Sequence, residues 1–275
     1  MTIVTALGAA AMFSLAGLCE TRLSRRTPAA VATFVVLLVG LVAVAPIAFA
    51  VEGVPEHSEL DSVLRAAVAG VLYTGAIACF IIGVGRGNLS VVAPLAALEG
   101  GFAAVIAIAL GERLGGLTAV GLVLAVVGAV LSAVGPGGGS ATGAVWGILA
   151  ALCFGPTFIL YGDAQELSPF MIVFISRLVS VAIAACFFLR TPVRSIDRPS
   201  LRYAVGGGLF DVTGFLALTY AVARGPVSVA SVLVAQFATF AVLIGLVVLR
   251  ERPAWHQLAG VACVIGGVSV IAAAG

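Results

Sequence analysis

Two stretches decide how this chain is read: "GRGNLSVVAPL", residues 85–95, and "ARGPVSVASVL", residues 223–233. They match with a step of 138 residues. Downstream, "GERLGGLTAVGLVLAVVGAVL" (111–131) matches "RERPAWHQLAGVACVIGGVSVI" (250–271) with a step of 139, which implies one inserted residue in the second copy. Gly121 then pairs with Gly260, and Gly128 with Gly267. The chain therefore reads as two homologous halves, 1–136 and 137–275, joined through the glycine-rich "GPGGGSATG" (135–143). Self-similarity at a long period has to be recognised before the fold is assigned.

The matched segments lie in a very apolar background. Hydrophobic residues make up 62% of the 275 positions and charged residues 9%, against about 25% charged in soluble domains. Mean hydropathy is +1.23. Too little polar surface remains to coat a globule in water, so the chain is expected to be an all-α integral membrane protein in the lipid bilayer. A net charge of +2 gives no reason to expect a nucleic-acid partner. All 14 basic residues are arginine, and together with the Ala, Gly and Val content this suggests a GC-rich bacterial source. Cys19, Cys79, Cys153, Cys186 and Cys263 are scattered without CxxC spacing and read as buried core residues. The N-terminal "MTIVTALGAAAMFSLAGLCETRL" has no basic leader and reads as a retained first span.

A helix needs about 20 apolar residues to cross the hydrocarbon core. Charged and Gly/Pro punctuation divides the chain into spans at 2–19, 28–50, 63–85, 89–110, 115–134, 141–161, 168–190, 201–222, 227–249 and 254–274. That makes ten helices, five per half. Two homologous halves with an odd number of crossings must sit in opposite orientations in the membrane. Inverted repeats of this kind present a midplane site to either side of the bilayer and mark a transporter. No GxSxG, HExxH, phosphate-loop, haem or metal pattern is present, so the chain reads as a non-enzyme without cofactor or metal, driven by a gradient.

The doubled pattern, "xRGxxSVxxxL", a long apolar helix, "GER" and a glycine-spaced helix, resembles the drug/metabolite transporter superfamily of EamA type over essentially the whole chain. The resemblance implies ten helices in two inverted halves and transport of a small metabolite. It also implies a Glu-Pro pair in the fourth helix; here Glu99 stands with Gly100 in place of proline, and Gln236-Phe237 occupy the region in the second copy. The "GE" turn survives as Gly111-Glu112 and as Arg250-Glu251, and Arg177 matches an arginine often found in the family's seventh helix.

Three charges fall inside the spans: Glu99, Arg177 and Asp211. Each costs roughly 2.5–3.5 kcal/mol at a lipid-facing helix centre, so each must face protein or a wet cavity. The repeat sets Asp211 opposite Tyr73 at midspan of the third helix of each half, where a substrate cavity is expected. Glu99 reads either as a proton- or substrate-binding carboxylate or as a carboxyl bonded to a neighbouring helix beside packing glycines. Arg177 reads either as the partner of Glu99 or Asp211, or as a clamp for a substrate carboxylate. The expected substrate or proton site is therefore Glu99, Asp211, Arg177 and Tyr73. Tyr73, Phe80, Phe102, Phe154, Phe210, Phe215 and Phe237 are candidate cavity walls. Glu112 and Glu251 read as caps or surface ion pairs at helix junctions, and Trp146 and Trp255 as interfacial anchors. His57 and His256 receive no role.

The functional expectation is a secondary transporter of the bacterial inner membrane. It exports an amino acid, amine or related small molecule by alternating access and uses protons, and the sequence leaves its oligomeric state open. The alternatives are an importer of an organic cation, an intramembrane enzyme using Glu99 and Asp211, and a non-transporting partner. Arg22, Arg25, Arg26, Arg86, Arg190, Arg194, Arg198, Arg202, Arg250 and Arg252 flank the loops opposite the termini, against Arg65, Arg113 and Arg224 on the termini side. The positive-inside rule then puts both termini outside the cytoplasm, whereas the family resemblance implies both inside.

Overall fold

The computed structural model describes residues 2–87, 89–133, 141–192, 196–240 and 255–274. The helices among them are α1 (Thr2–Ser24), α2 (Ala29–Val51), α3 (Leu60–Arg86), α4 (Leu89–Ala96), α5 (Leu98–Ala109), α6 (Gly116–Ala133), α7 (Ala141–Asp163), α8 (Pro169–Phe188), α9 (Arg198–Val222), α10 (Val227–Val234) and α11 (Trp255–Ala274). Six of them are long and apolar enough to cross a membrane: α1, α2, α3, α8, α9 and the 145–163 part of α7. Most of Leu98–Ala109, Gly116–Gly128 and Val227–Phe240 is as apolar but shorter. In lipid a helix satisfies its own backbone, which is why so apolar a chain resolves into helices.

Boundaries follow local chemistry. Pro169 opens α8 behind Ser168, whose side chain accepts from the Met171 amide. Pro199 sits in the first turn of α9 behind Asp197, which accepts from the Ser200 amide. Both are proline-in-the-first-turn starts with a capping oxygen. The Ser200 hydrogen bond also holds the Asp197 carboxyl below its ordinary range.

Two expected spans are interrupted in the structure. The fourth, 89–110, is not one helix. It breaks at Ala97 into α4 and α5. In the second half α10 ends at Val234, and the chain turns at Ala235-Gln236 before helix resumes at 237–240. Adding 138 to the bounds of α4 gives the bounds of α10, so the two breaks fall at equivalent register. The rest of the ninth span (241–249), the junction holding Arg250, Glu251 and Arg252, and Arg194 all lie outside the described residues. The first span also differs, since α1 continues four residues past Glu20.

Packing is reciprocal between the halves. α1 lies on α9 and α7 on α3; α2 crosses α8, α5 crosses α10, and α6 pairs with α11. Small residues set the closest crossings, as expected where apolar burial alone does not drive helices together. A Cβ on Gly70 of α3 would stand 2.5 Å from the Ser176 carbonyl oxygen of α8. Ser180 Oγ, one turn along α8, donates to the Gly70 carbonyl at 2.8 Å. At Gly100 of α5 a Cβ would meet the Ser231 carbonyl oxygen and the Ala235 Cβ, both at 2.6 Å. The two broken helices therefore touch backbone to backbone next to both breaks.

Candidate functional site

The buried face of α8 is the stripe Met171, Ile172, Val173, Ser176, Arg177, Ser180 and Ala184. Helical spacing carries Arg177 inward on that stripe. Its side chain is fully buried, and Nη2 lies 2.5 Å from Asp211 Oδ2 of α9. The Tyr73 hydroxyl of α3 donates to the same Asp211 oxygen at 2.7 Å. The guanidinium carbon stands 4.2 Å from the Tyr73 ring centroid and 5.0 Å from that of Phe215. One carboxylate, one cation and two ring faces are thus locked together at midspan. The ion pair offsets part of the cost each charge would carry alone. Arg177 Nε and Nη1 find no hydrogen-bond partner among the described residues, so ring contacts and the ion pair hold the group.

Beside this cluster lies a cavity lined by Phe13, Ala16 and Glu20 of α1, Ile77 and Phe80 of α3, Glu99 of α5, Phe154 and Phe158 of α7, Asp211 and Phe215 of α9, and Phe237. Helices from both halves contribute to its wall.

The structure brings three of the four expected site residues into direct contact: Arg177, Asp211 and Tyr73. Of the two partners considered for Arg177, it pairs with Asp211 and not Glu99. Tyr73 stands behind Asp211 and does not itself line the cavity. Glu99 sits in the first turn of α5, just past the break, and is 3% exposed. No hydrogen bond or ion pair to its carboxyl occurs among the described residues, although Gly100 next to it makes the tight crossing. Of the candidate walls, Phe80, Phe154, Phe215 and Phe237 line the cavity; Phe102 and Phe210 do not.

Sequence reasoning missed Glu20. It closes the cavity wall on α1, is 2% exposed, and leaves Oε1 without a hydrogen-bond partner among the described residues. Nothing in the sequence signals it, since a charge closing an apolar run reads as an exit into water; in the structure Thr21 and Leu23 beyond it are buried as well. Glu112 forms a cap, as one of its two expected readings held, but it caps the other half. Its Oε2 accepts the Val227 amide at 3.0 Å, and its Oε1 accepts the Ser228 hydroxyl.

Comparison with known proteins bears on this geometry. The profile of the EamA-like transporter family matches residues 1–134 and again 141–273. The chain belongs to the EamA-like transporter family. It is accordingly a multi-pass membrane protein of a family of small-molecule transporters. No curated protein matches its sequence. A crystal structure described only as that of a protein superposes with a TM-score of 0.78 at 18% identity, covering 98% of this chain and 95% of that one. At that identity the likeness concerns the fold alone.

Proposed function

We propose that this EamA-family chain is a secondary transporter that carries a small amine-bearing metabolite out of the cell across the bacterial inner membrane in exchange for protons. It crosses the bilayer ten times in two inverted five-helix repeats, 1–136 and 137–275. Two family matches, the reciprocal helix packing and the breaks at equivalent register support that organisation. Discontinuous helices crossing near the midplane are a recurrent feature of alternating-access sites.

One observation carries the substrate reading. The cavity between the halves holds three carboxylates, Glu20, Glu99 and Asp211, among phenylalanines, and Arg177 beside it is already paired. Such a wall attracts a cation and gives it ring faces to lie on. A carboxylate that holds either a proton or an ammonium group, but not both, makes the exchange obligatory. An inward proton gradient then drives export. The enzyme reading loses support here, because Asp211 is tied to Arg177 and Tyr73 and is no free base.

Radiolabelled flux into proteoliposomes with an imposed pH gradient tests the proposal. Primary amines are expected to move faster than through protein-free liposomes and to stop moving when the gradient is collapsed. Movement of anionic solutes alone, or of none, refutes the reading.

A further inference from the structure

We infer that the cavity is a two-ended site for a dication, an α,ω-diaminoalkane whose ammonium groups seat at Glu20 and Glu99 with the methylene chain against the phenylalanine rings. This rests on the amine-exchange reading above and names its substrate class.

Charge balance is the first argument. Arg177 and Asp211 neutralise each other, and the Tyr73 hydroxyl completes that cluster. Glu20 and Glu99 remain, both buried and both on the cavity wall. Neither forms an ion pair among the described residues, and Glu20 Oε1 has no hydrogen-bond partner among them. Buried charges persist only when paired. The cavity therefore calls for two positive charges, as two protons or as two cationic groups.

Position is the second argument. Glu20 stands on α1, which packs on α9, and Glu99 on α5, which packs on α7 and α10. The two free carboxyls thus enter the cavity from different helices. The rest of its lining is mostly apolar, with rings such as Phe13, Phe154, Phe158 and Phe237. A compact monocation reaches one carboxyl and leaves the other unmatched. A diamine matches both and covers the rings with methylene groups.

The exchange then balances. Each arriving ammonium group takes the place of a proton on its carboxyl, and that proton leaves to the bulk. Two protons depart for each doubly charged diamine bound, so the charge of the loaded site does not change. The transport cycle is electroneutral.

The test compares radiolabelled pentane-diamine with pentylamine, matched in chain length, in proteoliposomes holding the full chain. The diamine is expected to move roughly tenfold faster at equal concentration, the equivalent of about 1.4 kcal/mol in favour of the two-ended substrate. Its flux should not respond to a potential imposed with potassium and valinomycin. Glu20→Gln should bring the diamine down to the pentylamine rate; a diamine that keeps its full advantage in that variant overturns this inference. Pentylamine moving as fast as or faster than the diamine, or diamine flux that follows the potential, overturns this inference and leaves amine exchange standing. Failure of both amines to move overturns the amine-exchange reading together with it.

Discussion

Replacing Arg177 with methionine tests how the buried cluster is held. The substitution keeps a long apolar stem but removes the cation 2.5 Å from Asp211. Asp211, 3% exposed, would keep the Tyr73 hydroxyl as its partner. Removing one member of a buried pair costs about 3–5 kcal/mol, because the other charge is left uncompensated. The ring contacts to Tyr73 and Phe215 go as well. Combining Arg177→Met with Asp211→Asn removes both charges and leaves a neutral amide that still accepts from Tyr73. Most of the loss should then return, leaving a deficit of about 1–2 kcal/mol for the lost ring stacking. The measurement is equilibrium unfolding in mixed detergent micelles, followed by circular dichroism, for the parent, both single variants and the double. A double-mutant cycle isolates the pair term. If the loss in the double equals the sum of the losses in the two singles to within about 0.5 kcal/mol, the additivity expected of independent sites, the pair is not what holds Arg177 in place.

Other substitutions separate site from scaffold. Tyr73→Phe keeps both rings on the guanidinium and should cost only about 1–2 kcal/mol for the lost hydroxyl bond to Asp211 in the same unfolding assay. Glu99→Gln should leave unfolding unchanged while weakening the proton dependence of flux, since its carboxyl bonds to no described neighbour and Glu20 still exchanges a proton; unchanged coupling would reduce Glu99 to packing. Gly100→Val drives a side chain into the α10 backbone 2.6 Å away and should destabilise by about 1–3 kcal/mol or more; a variant of parental stability would show that the two broken helices do not cross as described.

The repeat made the third helix of each half legible. The step of 138 residues set Tyr73 opposite Asp211, and the two side chains meet in a hydrogen bond. Periodicity in a homologous pair carries register, but both were expected to line the cavity, and Asp211 does while Tyr73 stands behind it. The helix breaks were not legible. The apolar run through Ala97 is continuous, and hydropathy reports only that a segment prefers lipid. What accompanies the break is a tertiary contact, the backbone of α5 against α10 at Gly100. Glu20 was missed for a related reason. Residues 2–19 already nearly fill a span, so the first charge looked like an exit into water. In the structure α1 runs on to Ser24 and turns that charge into the cavity. The partner of Arg177 was equally hidden, since only the fold decides which of two acids lies nearer.

The turn at Gly111-Glu112 yields the last prediction. Gly111 has φ +105°, a conformation that glycine adopts without strain, and it throws the next side chain across to the second half. There α10 begins behind Pro226, which supplies no side-chain acceptor for the helix amides. Glu112 takes that place, accepting the Val227 amide at 3.0 Å and the Ser228 hydroxyl. An acid at a helix N-terminus also meets the positive end of the helix dipole. Hydrogen bonds to a charged group contribute about 1.5–3 kcal/mol, so Glu112→Ala should make local opening of the first turn of α10 easier by about 2 kcal/mol. Val229, 6% exposed in that turn, reports the opening. With Val229→Cys in a background freed of the native cysteines, labelling by a small thiol reagent follows the open population. About 2 kcal/mol corresponds to roughly thirtyfold faster labelling. Glu112→Gln keeps one acceptor oxygen and loses the charge, so its rate should fall between the two. Equal labelling with and without Glu112 would mean that α10 is held by its packing on α5 alone. A glutamine variant as open as the alanine variant would assign the whole effect to charge.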